Sequence, residues 1–399
     1  MFAERSVAKR GRILRSPGRA GAKEDLNFLP TWVEIRLDFL KQNLNAVRRQ
    51  IPSPKTEILA VVKADAYGHG MRQVAAALSE EGVSFFGVAN IEEAAELRTI
   101  CPSARILVLG SFHKCQIPLY REFEIIPTVS CPEDVRMLAR ALRKPSRSFA
   151  VHVKIDTGMG RLGVWHVDSK ELFRALSKEK NIFVQGIYTH FSSADKNDRS
   201  DTLRQLSRFN AALESARSMG IQPKYLHAAN CLGLLRFKQS HFNLVRPGIL
   251  LYGLNPDPSK KLPKAIRPIL SWKARVSFLK QIPAGRTVSY GATYKASKRT
   301  CIATLPVGYS HGYRVGLSAK SKVIAHGLRC PVAGRVTMDQ TMVDVGTASG
   351  IKRWDTVILI GSDKKAAVAA EELAKLLETI PYEIVCSIHS RVPRIYIGS

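Results

Sequence analysis

The sequence has few acidic residues, no pair of cysteines at metal-ligand spacing and no long apolar run. Only 33 Asp and Glu stand against 61 Lys and Arg, which gives a formal net charge of +28. The seven cysteines are scattered and odd in number, so we expect no disulfide framework, no metal site and a cytoplasmic location. The longest apolar stretches, such as residues 249–254, fall well short of the ~18–20 residues of a membrane helix.

The composition is otherwise that of an ordinary globular protein. The 399 residues are 45% hydrophobic and 8% aromatic, which leaves room for two domains. Residues 1–29 carry many cations and no apolar segment, so they are predicted to be a basic, disordered tail. An interpretation as a nucleic-acid-binding protein rests on charge alone, since no recognised binding motif with interleaved aromatic residues accompanies it.

Short β-rich runs alternate with helical patterns from residue 37 to residue 263. Eight such units predict a (β/α)8 barrel, in which the carboxyl ends of the strands carry the chemistry. The predicted helices are Gly70–Gly82, Glu92–Thr99, Pro132–Arg143 and Arg199–Gly220. The predicted strands are Ile58–Lys63, Phe85–Val88, Ile106–Leu109, Ile125–Val129, Ala150–Ile155, Phe183–Thr189, Tyr225–Ala228 and Leu244–Tyr252.

The pattern changes after residue 263, where short strands are separated by Gly and Pro turns. Strands are predicted at Trp272–Gln281, Thr300–Pro306, Lys322–Ala325 and Met342–Gly346, and one helix at Ala366–Leu377. We therefore expect an α/β protein with a barrel over residues 30–263 and a mostly β domain over residues 264–399. Residues 30–37 are expected either to begin the barrel or to pair with the β domain.

The sharpest local motif is residues 60–70, which read Ala-Val-Val-Lys-Ala-Asp-Ala-Tyr-Gly-His-Gly. Lys63 ends an apolar strand that points into the barrel, and burial lowers the pKa of a lysine towards the neutral amine that a Schiff base needs. An ordinary buried ion pair is an equally good interpretation of Lys63 taken alone.

Five other motifs place polar residues at strand ends or in tight turns. Arg161, in a glycine-rich turn, is a forked donor suited to a carboxylate or a phenolic oxygen. His190 either stacks on a flat ring or is an interior histidine. Residues 245–249 belong to the last predicted barrel strand, in the region where barrels tend to bind phosphate on backbone N–H groups. In the β domain, Tyr290 and residues 334–340 are also consistent with half-buried packing.

Taken together and in this order, the motifs resemble those of the alanine racemases, pyridoxal-phosphate enzymes with a barrel and a β domain. The resemblance runs from about Pro30 to Arg394. It implies that Lys63 holds the cofactor and acts as one of two bases at the substrate Cα. Tyr290 would be the opposing base and would reach in from the partner subunit of a homodimer. Two bases suit racemisation, because a single base on one face would retain the configuration.

The resemblance also assigns roles to the other motif residues. The substrate carboxylate would be bound by Arg161 and by the backbone N–H of Met338. The resemblance implies supporting roles for Lys154, His227, Tyr309 and Asp339. The lysine at the position of Lys154 is carbamylated in some members of the family. Arg246 would donate to the pyridine nitrogen without releasing its proton. The remaining implied cofactor contacts are Tyr67, His190, Asn230, Cys231, Gly248, Ile249 and Ser390.

Three positions depart from the family pattern. Many relatives have Ser at the position of Cys231 and Tyr at that of Ser390, and Thr337 stands where Cys is frequent. Because a thiol is a weaker hydrogen-bond donor than a hydroxyl, we expect a lower cofactor affinity.

The predicted activity is the interconversion of L- and D-alanine, which supplies D-alanine for peptidoglycan. The alternatives are a racemase of broader specificity and an amino acid decarboxylase of the same fold. A pyridoxal-phosphate-binding protein without activity is less consistent with the sequence, since it would lack the C-terminal region that carries Tyr290.

Overall fold

The computed structural model describes residues 29–142, 148–257, 260–347 and 349–398. The chain divides into two compact units, which we call the barrel unit (Arg36–Ile269, Thr379–Ser387 and Tyr396–Ser399) and the β unit (Met1–Ile35, Leu270–Glu378 and Ile388–Ile395). Apart from residue 29, the predicted basic tail lies outside the described residues. No helix of the described part is both long enough and apolar enough to cross a bilayer. The first element is strand β1 (Thr31–Arg36).

Eight parallel strands form the predicted (β/α)8 barrel. The strands, with the short β7 that pairs with β6, are β2 (Glu57–Val61), β3 (Phe85–Val88), β4 (Arg105–Val108), β5 (Thr128–Val129), β6 (Phe149–Asp156), β7 (Val164–Trp165), β8 (Ile182–Tyr188), β9 (Tyr225–His227) and β10 (Leu244–Val245). Direct pairing joins β10 to β2, β2 to β3, β3 to β4, β5 to β6, β6 to β8 and β8 to β9. A parallel bridge between Leu107 and Ile126 and a hydrogen bond from Arg246 N–H to Ala229 O (3.0 Å) complete the ring.

Helices connect the barrel strands and bury one apolar face each. The sequence caps several of them: Asp65 Oδ1 accepts the Met71 N–H (2.6 Å), and Asn90 Oδ1 accepts the Glu93 N–H (2.9 Å). The helices of this unit are α1 (Leu37–Arg48), α2 (Lys63–Gly68), α3 (Met71–Glu80), α4 (Ile91–Ile100), α5 (Ile117–Glu122), α6 (Pro132–Ala141), α7 (Ser169–Ser177), α8 (Ser200–Ser218), α9 (Cys231–Arg236) and, near the C-terminus, α11 (Pro381–Cys386).

Three predicted barrel strands are clearly shorter than expected. Of the predicted strand Ile125–Val129, only Thr128–Val129 (β5) is extended. Strand β2 ends at Val61, so Lys63 opens α2 instead of ending the strand. Strand β10 ends at Val245 and not at Tyr252, because the apolar residues that follow form buried turns, with hydrogen bonds such as that from Leu251 N–H to Gly248 O (2.8 Å). An apolar run shows that a segment is buried but does not show whether it is extended.

The β unit consists of antiparallel strands. After β1, these strands are β11 (Leu270–Arg275), β12 (Phe278–Ile282), β13 (Thr287–Val288), β14 (Tyr294–Lys295), β15 (Thr300–Leu305), β16 (Lys322–Ala325), β17 (Leu328–Pro331), β18 (Thr341–Asp344), β19 (Thr356–Asp363), β20 (Ala366–Val368) and β21 (Arg394–Ile397). Strand β1 pairs with β11, and the order in the largest sheet includes β17, β16, β19, β11 and β1. A second sheet has the order β12, β15, β18, and β13 pairs with β14.

Two predictions for this unit are wrong in detail. The segment Trp272–Gln281 is two strands, β11 and β12. The segment Ala366–Leu377 begins as strand β20, and only Ala370–Leu376 is helical (α10). Strand β20 pairs with the end of β19 as a hairpin, so cross-strand pairing outweighs the helix propensity of its alanines.

Candidate active site

A cavity of about 760 Å³ lies at the carboxyl ends of the barrel strands. Its walls come from the residues that follow β2, β3, β4, β9 and β10 and from the ends of β6 and β8. This is the end at which barrel enzymes hold their ligands. The cavity brings together ten of the predicted site residues, Lys63, Tyr67, Lys154, Arg161, His190, Asn230, Cys231, Arg246, Gly248 and Ile249.

Lys63 is held by an unusual backbone segment. The four residues that follow it, residues 64–67, have φ between 51° and 56°, in the left-handed region. Each such L-residue costs roughly 1–2 kcal/mol, so the surrounding structure must hold the turn. Glu93 does so, because one carboxylate oxygen accepts the Ala64 N–H (2.7 Å) and the other accepts the Ala89 N–H (2.8 Å). The backbone beside Lys63 is thereby fixed.

The surroundings of Lys63 favour its neutral amine. Burial lowers the pKa of Lys63, and the positive charge of Arg161 lowers it further, while Glu93 acts in the opposite direction. A neutral amine is the form that attacks a carbonyl carbon or accepts a proton. Lys63 is therefore suited both to covalent cofactor binding and to proton transfer.

Arg246 is a buried guanidinium, 4% exposed, directly after β10. It donates through Nη2 to Thr189 O (2.7 Å) and Ala228 O (3.0 Å), and through Nη1 to His227 Nδ1 (3.0 Å). Burial lowers the pKa of Arg246 to about 10, so it stays charged at neutral pH and acts only as a donor. Burial and the Arg246 charge hold the pKa of His190 well below its usual range, so this imidazole is neutral.

Backbone amides form a cradle at Gly248. The Gly248 N–H points at Cys231 Sγ (3.2 Å), and a Cβ atom at position 248 would lie 2.6 Å from the Tyr67 hydroxyl oxygen, so only glycine fits there. Asn230 caps the adjoining helix α9 by accepting the Gly233 N–H (2.9 Å). Amides, a hydroxyl and a small polar side chain at one point suit a phosphate group. Burial raises the pKa of Cys231, which keeps the thiol neutral.

Arg161 and Lys154 lie on the other wall. Asp156 shapes the glycine-rich turn, because its carboxylate accepts the N–H groups of Gly158 (2.8 Å), Met159 (2.9 Å) and Arg161 (3.2 Å). The Lys154 Nζ is buried without a hydrogen-bond partner in the described part of the chain. Burial, followed by the charge of Arg246, holds the pKa of Lys154 well below its usual range.

A second depression, of about 740 Å³, belongs to the β unit and contains Tyr290, Tyr309, Met338 and Asp339. The Tyr290 side chain is 72% exposed. The turn at residues 337–340 is closed by the hydrogen bond from Thr337 N–H to Gln340 O (2.9 Å). Within the described residues the Met338 N–H donates to no protein acceptor, so it is available to a ligand.

The structure does not bring Ser390, which the resemblance connects with the phosphate, into the cavity, and it adds two residues that the sequence did not connect with the site. Ser390 is exposed in the β unit and lines neither depression. Tyr382, at the start of α11, lines the barrel cavity, with its ring centroid 5.9 Å from that of Tyr67. Pro381 predicts a helix start, but nothing in the sequence indicates that α11 belongs to the barrel unit. Tyr188 also lines the cavity.

The fold and the cavity are those of a class of protein, the (β/α)8 enzymes that bind a phosphorylated cofactor at the carboxyl ends of the strands. The residues fit pyridoxal phosphate, since a neutral amine, a fixed guanidinium donor and an amide cradle line one cavity.

Comparison with known proteins gives the particular family. Residues 35–256 match the alanine racemase N-terminal domain, and residues 269–396 match the alanine racemase C-terminal domain. The alanine racemase of Carboxydothermus hydrogenoformans is 40% identical over 371 residues, which cover 92% of this chain and 100% of that protein.

Solved structures agree. The alanine racemase of Bacillus anthracis with bound L-Ala-P has a TM-score of 0.86 and 36% identity, covering 93% of this chain and 96% of that one. The alanine racemase of Bartonella henselae with covalently bound pyridoxal phosphate has a TM-score of 0.84 and 29% identity, and the match covers 92% of this chain and 99% of that one. The chain belongs to the alanine racemase family.

Proposed function

We propose that this chain racemises alanine with bound pyridoxal phosphate, using Lys63 and the partner subunit's Tyr290 as the two bases in a homodimer. One observation carries the proposal. Lys63 is a half-buried amine of lowered pKa in a cavity that also holds an amide cradle and a guanidinium donor.

Pyridoxal phosphate supplies an electron-accepting ring that stabilises negative charge at the substrate Cα. Lys63 would hold its carbonyl carbon, and His190 would stack on the ring. The phosphate would be bound by the Tyr67 hydroxyl, by the amides of Gly248 and Ile249, and by Asn230 and Cys231. Arg246 keeps its proton, so it would donate a hydrogen bond to the ring nitrogen without protonating it. Electron withdrawal by the ring would then be limited, which would favour return of the proton to Cα.

The substrate carboxylate would be bound by Arg161 and by the free N–H of Met338. Asp339 helps to hold the turn that presents this N–H, because it accepts the Ser310 hydroxyl (2.7 Å) and pairs with Arg391 (3.5 Å). Tyr309 would limit the pocket to small side chains. Lys63 Nζ would then exchange the Cα proton on one face and the Tyr290 hydroxyl oxygen would exchange it on the other.

Lys154 and His227 support these groups. Lys154 is a buried amine without a hydrogen-bond partner, close enough to Arg161 to be affected by its charge. We propose that its neutral nitrogen adds to CO₂ and releases a proton, which leaves an anionic carbamate beside Arg161. His227 accepts from Arg246 and orients it.

Mixing two inactive variants tests the shared site. Lys63→Ala and Tyr290→Phe should each be inactive alone. A heterodimer of the two has one site with both native bases, so random mixing after dissociation should restore about 25% of the wild-type activity. Native mass spectrometry of the mixture, which should show about half of the dimers as heterodimers, serves as the control for subunit exchange. A mixture as inactive as its components would contradict the partner role of Tyr290.

Substrate range separates the remaining alternatives. Chiral chromatography after incubation with alanine, serine and lysine should show racemised alanine and far slower change of the other two. Rapid racemisation of serine or lysine would favour a racemase of broader specificity, and loss of the carboxyl group would favour a decarboxylase. We propose a cytoplasmic enzyme that supplies D-alanine for peptidoglycan, in keeping with its seven free cysteines.

A further inference from the structure

A chain of hydrogen bonds runs from Arg246 through the barrel interior. Arg246 Nη1 lies 3.0 Å from His227 Nδ1, His227 Nε2 lies 2.9 Å from His152 Nδ1, and His152 Nε2 lies 3.3 Å from Gln185 Oε1. Both histidines are fully buried. His152 and Gln185 belong to no motif that the sequence singles out.

The direction of every link follows from the two ends. A guanidinium has no acceptor, so His227 Nδ1 must accept the first hydrogen bond. Burial holds the pKa of His227 well below its usual range, so the ring is neutral and carries its proton on Nε2. That proton points at His152 Nδ1. Burial likewise lowers the pKa of His152 to about 3, so this ring is neutral and carries a single proton. Because Nδ1 accepts the hydrogen bond from His227, the proton is on Nε2, facing the Gln185 oxygen. All three donors point the same way.

The backbone near this series of hydrogen bonds accommodates His152 and Gln185. Strand β8 has an extra residue, because Val151 pairs with Val184 and His152 pairs with Gly186, which leaves Gln185 unpaired in a bulge. A bulge re-aims the side chain of its extra residue. A Cβ atom at Gly186 would lie 2.4 Å from the His152 ring, so glycine is required beside it.

Aromatic rings pack against both imidazoles and fix their orientation. His227 stacks on Tyr188 with centroids 4.6 Å apart and a 7° interplanar angle, and Phe85 meets His152 edge-on at 5.8 Å. The cations that act on the two histidines are Arg246 and Arg105, of which Arg105 is paired with Glu57. Cations on these sides oppose protonation of either ring.

We propose that His152 and Gln185 are positioning residues that fix the His227 tautomer and thereby hold Arg246 as a permanent donor to the cofactor nitrogen. With the His227 proton on the other nitrogen, two donors would face each other at Arg246 Nη1. The guanidinium would then lose a bond that fixes its plane. The inference rests on the proposed role of Arg246 only for its catalytic consequence and not for the tautomers.

Long-range ¹H–¹⁵N correlation on ¹⁵N-histidine-labelled holoenzyme tests the tautomers directly. Both His152 and His227 should be neutral with the proton on Nε2 between about pH 6 and pH 8. Variants that lack one histidine assign the signals. An imidazolium, or a proton on Nδ1 of either ring, would overturn the proposal.

Substitutions test the catalytic consequence. His152→Leu removes the acceptor of the His227 Nε2 proton, so the His227 spectrum should change and kcat should fall about 10-fold with KM changed less than about 2-fold, as when outer partners of site histidines are lost. Phe85→Leu is the matched control. It removes packing on the same ring, and it should leave the His227 spectrum and kcat near wild type. An equal loss of kcat in both variants would overturn the proposal.

Gln185 gives a second route if His152→Leu does not fold. Gln185→Leu removes the last acceptor and should lower kcat, whereas Gln185→Glu keeps an acceptor oxygen and should retain wild-type tautomers and kcat. Equal kcat in the two variants would overturn the proposal. Failure of the proposed function would look different, because the wild-type holoenzyme itself would then racemise no alanine while the tautomers remained as described.

Discussion

The two depressions hold their functional groups in opposite ways. In the barrel cavity, Arg246 and Lys154 are each 4% exposed, and burial lowers the pKa of both. In the β unit, Tyr290 is 72% exposed and Met338 is 55% exposed, and backbone turns hold them in place. The barrel thus tunes its groups within one chain, whereas the β unit presents its groups outward. That contrast is expected if the β-unit groups complete the site of a second subunit.

The charges differ as well. None of the described residues that line the barrel cavity is acidic, while Asp339 lines the depression of the β unit. A cationic cavity suits a phosphate and a carboxylate together. A small part of the net charge of +28 therefore has a local use, and the remainder belongs to the surface as a whole.

The largest effect is expected when one hydroxyl group is removed from the exposed depression of the β unit. Tyr290→Phe should lower kcat about 10²–10⁴-fold, the usual contribution of a general base. Because the side chain is exposed, the free energy of unfolding should change by less than about 0.5 kcal/mol. Incorporation of solvent deuterium at Cα should cease for the enantiomer that Tyr290 deprotonates.

Tyr294 provides the matched control for this variant. Its hydroxyl donates to Asp344, so Tyr294→Phe should cost about 1 kcal/mol of stability and leave kcat nearly unchanged. If Tyr290→Phe retained full activity, or if labelling continued from both enantiomers, the assignment of Tyr290 as a base would be wrong.

The next largest effect on kcat is expected from Lys154, which is buried in the barrel cavity. Enzyme equilibrated with ¹³C-bicarbonate should show one carbamate signal, and removing CO₂ should lower kcat about 10-fold, since Arg161 loses a charged partner. Lys154→Gln should lack the signal and show no dependence on CO₂. A carbamate signal that survives this substitution would assign the modification to another amine.

Lys154 also affects the free energy of unfolding of the protein, by a smaller amount whose dependence on pH has a definite sign. The folded protein keeps Lys154 neutral below the usual lysine pKa, so the unfolded chain binds one more proton and stability rises with pH in that range. In CO₂-free buffer, Lys154→Met should raise the free energy of unfolding by about 1–2 kcal/mol at pH 7, because it removes an unpaired buried amine. The gain should shrink as the pH approaches 10.4. A gain that does not vary with pH would contradict a neutral buried amine.

The sequence predicts the barrel, and ten of the residues that it singles out line one cavity, because strand ends and glycine turns are local features. It fails where distant pairing decides the structure. The helix expected at Ala366–Leu377 begins as strand β20 because β19 pairs with it, and the strand expected at Leu244–Tyr252 becomes buried turns. His152 carries no motif at all. Its place in the chain of hydrogen bonds depends on the bulge at Gln185, which no local pattern indicates.

The smallest expected effect concerns the cradle that both the sequence and the structure connect with phosphate. Cys231 Sγ receives the Gly248 N–H at 3.2 Å and, as a thiol, is a weak donor. Cys231→Ser should strengthen the binding of pyridoxal phosphate about 3–10-fold, because a hydroxyl forms a better hydrogen bond to phosphate. Fluorescence titration of the apoenzyme measures this, with Cys115→Ser as an exposed control that should change nothing. Equal or weaker binding by the Cys231→Ser variant would show that the thiol does not limit cofactor affinity.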